Sequence, residues 1–96
     1  MDNVKLARYL GLAIKGGFVV YGLDNIKAIR VLRGKAIVLC NTASKRTHDS
    51  IVALATERGA KLIELANITL DELIKTNNCK VICVVNKDLA EVINKD

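Results

Sequence analysis

Four short apolar runs rich in branched side chains, at residues 18–21, 35–40, 61–65 and 80–85, limit what this chain can fold into more than any other feature. Each is too short for a helix and too continuously apolar for a strand with one wet face, so they read as four buried strands. Helical periodicity fills the gaps between them. Residues 4–14 set Leu6, Tyr9, Leu10 and Ala13 on one side, and a second helix is expected over 24–33. Residues 44–58 bring Ile51, Leu54 and Ala55 into register, with Gly59 as the stop. Residues 69–76 open with Thr69 as N-cap and Glu72 three positions on, the pattern of a capping box, and 87–94 complete the set. Strands alternating with helices predict an α/β fold with helices on both faces of a sheet, an α/β/α sandwich.

Ninety-six residues leave room for one domain, spanning 1–96. With 51% hydrophobic and 26% charged residues and no proline, the composition excludes disordered and collagen-like chains. The longest apolar stretches are far too short to cross a bilayer, and the first residues lack the layout of a signal peptide. A cytoplasmic protein is expected. Cys40, Cys79 and Cys83 fit that compartment, being odd in number and without framework spacing, and are expected to pack as small apolar residues.

The formal charge of +5 favours an acidic partner, and its distribution narrows where that partner binds. Residues 1–48 carry nine Lys and Arg against Asp2 and Asp24, a net of +7, whereas residues 49–96 carry a net of −2. On a helix over 24–33, Lys27, Arg30 and Arg33 form one stripe, while Ala28, Ile29 and Leu32 lie opposite and can face the core. Gly22 precedes this helix, and Gly34 and Lys35 follow it. A helix start after a glycine turn offers free N–H groups to a phosphate, and the stripe extends the field. A solvated basic face explains the same residues equally well.

Other chemistry is poorly supplied. Gly17 and Gly22 match the start of a phosphate-binding loop, but Leu23 and Asp24 stand where the lysine and hydroxyl are needed. Cys79 and Cys83, four apart and read as sharing one side of a strand, lack the second pair or histidine that a zinc site requires. His48, the one histidine, has Ser44, Thr47 and Ser50 nearby but no nucleophile turn, and is expected at the surface. Asp71 and Glu72 are accounted for by their place at a helix start. Tyr9, Phe18 and Tyr21 are too few for the aromatic platforms that hold splayed bases, so an RNA partner would be held by backbone and shape.

A succession of short segments resembles a known family. It runs through Leu10, Gly11, Leu12 and Ala13, then Lys15, Gly16 and Gly17, then Gly22. It continues with Lys27, Ala28, Ile29 and Arg30, then Arg33 through Leu39, and closes on Ala43 and Ser44. This order is similar to the L-seven-Ae/L-thirty-e ribosomal protein family of kink-turn RNA binders, most of all to its small bacterial stand-alone members of the YlxQ type. The resemblance implies a three-layer α/β/α fold around a four-stranded mixed sheet, no enzymatic activity, and binding of bent RNA in ribosomal or related particles; a monomer without a cofactor is expected.

The family grips RNA with a Gly-x-Asn-Glu-x-x-Lys stretch at the second helix. Gly22 and Lys27 match its ends with one residue fewer between them, and Asp24 and Asn25 stand in reversed order for its Asn-Glu pair. The implied RNA-binding residues are Gly22, Asp24, Asn25, Lys27, Arg30, Arg33 and Lys35, with Lys15, Lys45 and Arg46 widening the footprint. The family's loop before the last strand carries two glycines. Here Glu72 and Leu73 match, but Ile74 and Asn78 replace the glycines and the loop is shorter. Two other functions remain on the same fold: a protein-interaction module that has lost RNA reading, and a small enzyme or nucleotide binder with its ligand at the strand ends.

Overall fold

The computed structural model describes residues 2–95, with side chains through residue 94. Its elements alternate as α1 (Asn3–Lys15), β1 (Val19–Tyr21), α2 (Leu23–Lys27), β2 (Ala36–Leu39), α3 (Lys45–Arg58), β3 (Lys61–Glu64), α4 (Leu70–Ile74), β4 (Val81–Val84) and α5 (Lys87–Lys95). The strands form one mixed sheet in the order β1-β4-β2-β3. β2 runs parallel to β3, and β4 is antiparallel to both its neighbours. The fold is the expected α/β/α sandwich.

Local chemistry explains where the helices begin and end. Asp2 caps α1 by accepting from the Lys5 N–H at 2.8 Å, and Ser44 caps α3 by accepting from the Thr47 N–H at 3.1 Å. Thr69 and Glu72 form the capping box of α4. Gly59 ends α3 in the left-handed region at φ 74°, a conformation glycine adopts at no steric cost.

The two central strands are buried throughout, and successive residues feed two separate cores. Ala36 and Val38 of β2 with Ile82 and Val84 of β4 pack against Leu6, Leu10 and Ala13 of α1, Leu70 and Leu73 of α4, and Ala90 and Ile93 of α5. Ile37, Leu39, Val81 and Cys83 face the other way, onto Ile26 of α2, Leu32, and Ile51, Leu54 and Ala55 of α3. Each fully buried Leu or Ile contributes about 1.5–3 kcal/mol of transfer free energy, so these two layers dominate the stability.

Two expectations about the strands change. β1 and β3 are the sheet edges and are only half-buried, because the helices of each layer centre on β2 and β4. Cys79 lies outside β4 and packs with the α1 side, while Cys83 sits in the α3 side. The two thiols therefore lie on opposite faces of the sheet.

The helix expected over 24–33 stops at Lys27. Of the three residues expected to face the core, Leu32 is buried, Ile29 half-buried and Ala28 exposed, while Ile26 is buried as well, so the expected apolar face is only partly formed. The backbone bonds go elsewhere. The Arg58 guanidinium, reaching from the end of α3, donates from one nitrogen to the carbonyls of both Lys27, at 2.7 Å, and Ile29. Those acceptors would otherwise take N–H groups four residues on, and with Arg58 in their place the chain leaves the helix as an ordered loop. Leu32 plugs that loop into the core, and Gly34, at φ 80°, turns it into β2.

Candidate nucleic-acid interface

The early end of α2 and the late end of the loop that follows it lie at opposite ends of the sheet. The Gly22 N–H donates to the Val81 carbonyl at 3.1 Å, where β1 ends and β4 begins. The Lys35 carbonyl accepts from the Lys61 N–H at 3.0 Å, where β2 and β3 begin. A four-residue strand separates these points by roughly 13 Å. Gly22, Asp24 and Asn25 therefore sit at one end, Arg30, Arg33 and Lys35 at the other, with Lys27 between them. The single helical stripe expected from the sequence does not form.

At the Gly22 end an open cleft of about 460 Å³ lies between the turn at Tyr21, Gly22 and Leu23 and the loop from Thr76 to Val81, with Thr47 of α3 completing its wall. Gly22 enters α2 at φ 85° and its N–H is spent on β4, so it shapes the turn and offers no free donor. The Asn25 amide donates to the Tyr21 carbonyl at 2.9 Å and braces the same turn. Asp24 is exposed beside it. α2 is only five residues long, so its dipole adds little. Tyr21, 41% exposed, gives the cleft one aromatic surface, which the count of aromatics alone did not place.

The opposite wall is held by a residue that sequence reasoning assigned to the helix start. The Asp71 carboxylate accepts from the Thr76 hydroxyl at 2.8 Å, the Asn78 N–H at 2.9 Å and the Cys79 N–H at 2.7 Å. The Cys79 N–H is the largest influence on its pKa; desolvation comes next and opposes it, but with Thr76, Asn78 and the charge of Lys80 added the carboxyl is held below the ordinary carboxylate value. Lys75 at φ 55° and Asn78 at φ 57° are left-handed; Asn78 stands where the resembled family has a glycine, whereas Ile74, at the other glycine position, is not left-handed. The loop thus bends sharply without glycine, with Asp71 fixing the bend. An acid four residues before a polar run that ends in a strand is a weak signal, and capping chemistry masks it.

Lys80 and two asparagines line one wall of this cleft. Lys80 lines it and donates to the Thr42 hydroxyl at 2.9 Å, which draws in the loop before α3. Asn77 and Asn78 present side-chain amides along the same wall. Lys45 and Arg46 are exposed on the first turn of α3. Lys15 ends α1 just before β1 and so belongs to the far end of the sheet.

A second cavity, of about 380 Å³, opens at the ends of the parallel pair β2 and β3 and is lined by Cys40, Asn41, Lys45, His48 and Glu64 among others. His48 is at the surface, with its Nε2 2.6 Å from Glu64 Oε1 and its Nδ1 3.4 Å from Asp49 Oδ1. The hydrogen bond to Glu64, followed by that to Asp49, raises its pKa above 6.5. Cys40 is buried, which favours the neutral thiol. The Leu70 N–H at 3.3 Å, Thr42 and the charge of Lys80 outweigh that and lower its pKa. Burial pushes Cys83 up to about 11, as expected for a core thiol.

No helix among the described residues is long and apolar enough to cross a membrane. No protein-family model matches the chain, and no curated protein matches it. Among solved structures, a protein of unknown function from Bacillus halodurans is similar with a TM-score of 0.75 at 16% identity, over 93% of this chain and 92% of that one. That likeness extends the fold to a second sequence of nearly the same span.

Proposed function

We propose that this protein binds a bent, kink-turn-like structured RNA, in a ribosomal or ribosome-associated particle of the cytoplasm, as a monomer without enzymatic activity or cofactor. One observation carries the reading: the Gly22 turn and the 76–80 loop, far apart in sequence, meet as the two walls of an open cleft lined by Asn77, Asn78 and Lys80. The resemblance described above puts the same two segments against RNA. In this reading Asp24 accepts from a base edge, the Asn77 and Asn78 amides read a neighbouring edge, and Tyr21 stacks on one exposed base. Lys27 continues the path along the backbone.

The test is a titration of a kink-turn RNA by the wild type and by a variant carrying Lys80→Ala and Asn78→Asp. Asn78→Asp keeps a residue that tolerates the left-handed backbone. Loss of a base contact and a phosphate contact is expected to weaken binding about tenfold or more, and the wild-type affinity is expected to fall steeply with salt. Salt-independent or absent binding by the wild type refutes the reading. Protein purified free of nucleic acid but holding a protein partner would favour an interaction module instead.

A further inference from the structure

The far end of the sheet is built with as much care as the cleft. The loop over residues 28–35 is pinned by four devices: the Arg58 guanidinium on the Lys27 and Ile29 carbonyls, the Lys35 ammonium on the Val31 carbonyl at 2.6 Å, the fully buried Leu32, and the left-handed Gly34. Two cations thus neutralise the loop's own carbonyls. Arg30 and Arg33, both exposed, are left without any hydrogen-bond or ion-pair partner among the described residues. The Arg33 stem runs over Gly59 at the end of α3, and Lys87 of α5 lies beside Gly34 in a shallow depression. Asp24, Glu57 and Asp88 form no ion pair with this loop among the described residues, and Glu91 of α5 lines the same depression as Gly34 and Lys87. Val31 stands between the arginines and is 63% exposed.

A loop whose main chain is ordered by four anchors presents two free guanidinium groups without the entropy of ordering the backbone on binding, so only the two side chains have to be ordered. Its position, roughly 13 Å along the strands from the cleft, is too far for both to meet one phosphate cluster. The molecule measures 29 × 27 × 22 Å, so a bent RNA can engage both ends at once.

We propose that the 28–35 loop is a second phosphate-backbone site, distinct from the cleft, which holds a separate helical segment of the same RNA through Arg30 and Arg33. This rests on the RNA reading above, and the experiment separates the two. The probe is a kink-turn RNA with arms of about two helical turns on each side of the bend. A photoreactive phenylalanine is placed at Val31 in one variant and at Asn78 in another, and binding is also measured against salt for Arg30→Ala with Arg33→Ala.

The position-31 and position-78 crosslinks are expected on different stretches of the RNA. The double arginine variant is expected to keep the wild-type melting temperature, lose about tenfold in affinity, and lower the salt slope by about 2, the change for two phosphates released. Crosslinks from both positions to the same nucleotides overturn the proposal, as does an unchanged slope. A crosslink at 78 with none at 31 overturns it while leaving the cleft reading intact. Failure of the wild type to bind the RNA overturns both. Binding of the wild type, but not the double variant, to phosphatidylserine vesicles without any effect of the arginines on RNA overturns it in favour of a lipid surface.

Discussion

At residues 75–80 a carboxylate holds the chain, and at residues 28–35 a guanidinium does. Asp71 collects N–H and O–H donors, so the loop that it fixes turns its side-chain amides toward the cleft. Arg58 donates into carbonyls, so the loop that it fixes leaves its own cations for a partner. Neither loop relies on regular secondary structure. The difference teaches that an irregular segment is as well defined as a helix when one charged side chain satisfies several of its backbone groups. It also separates their response to pH, since a carboxylate can be protonated and a guanidinium effectively cannot.

The largest break is expected from Leu32→Ala. Leu32 is fully buried with Ile26, Ile37 and Ile51, and its loss should destabilise the protein by about 2–5 kcal/mol in denaturant titration. If the 28–35 loop were loosely held, the site would collapse onto the gap and the loss would fall below that range. Arg58→Ala comes next. Its guanidinium serves two carbonyls at a half-exposed site, so a loss of about 1–2 kcal/mol is expected. Amide exchange should quicken across residues 28–35 and stay unchanged at Asn78 and Cys79.

Asp71→Asn probes the other loop. The neutral amide keeps one acceptor oxygen but loses the charge, so exchange at Asn78 and Cys79 should quicken while the 28–35 loop is untouched. The sign with pH follows from the lowered pKa. Asp71's contribution is full above the ordinary carboxylate value of 3.8 and disappears as pH falls through the depressed folded value. Acid should therefore open the cleft wall before the arginine-held loop. Equal sensitivity of both loops to acid would dissolve the contrast between them.

How far the sequence predicted this molecule depends on whether a residue acts on its neighbours in the chain or at a distance. Apolar runs place all four strands within a residue or two, because burial of alternate residues on two faces needs only local pattern, as in Ala36 to Leu39. The caps at Ser44 and Thr69 and the stop at Gly59 were legible for the same reason. The edge status of β1 and β3 was not, since it depends on strand order. Nor was the end of α2 at Lys27, because the group that ends it, Arg58, is 31 residues away. The same remoteness split the expected binding residues between two ends of the sheet. It also hid the role of Asp71, whose partners reach eight residues along the chain.

The smallest effect sits at the cleft end. His48, on the first turn of α3, bonds Glu64 at the end of β3, and both side chains are about half exposed, 44% and 55%, so solvent screens the pair. Because Glu64 raises the folded pKa of His48, the pair's contribution is full below 6.5 and is lost as pH rises through the higher folded value. Nuclear magnetic resonance of the single imidazole should find it titrating above 6.5, and Glu64→Gln should move it back toward that value, with Asp49 retaining part of the rise. An imidazole that titrates at the ordinary value in the wild type would show that the α3–β3 tie does not hold in solution. If it does titrate high, the cleft end responds to pH from both directions, through Asp71 in acid and through His48 above 6.5. The end built on Arg58 then stays constant, so the structure of the cleft wall should vary with pH while that of the 28–35 loop does not.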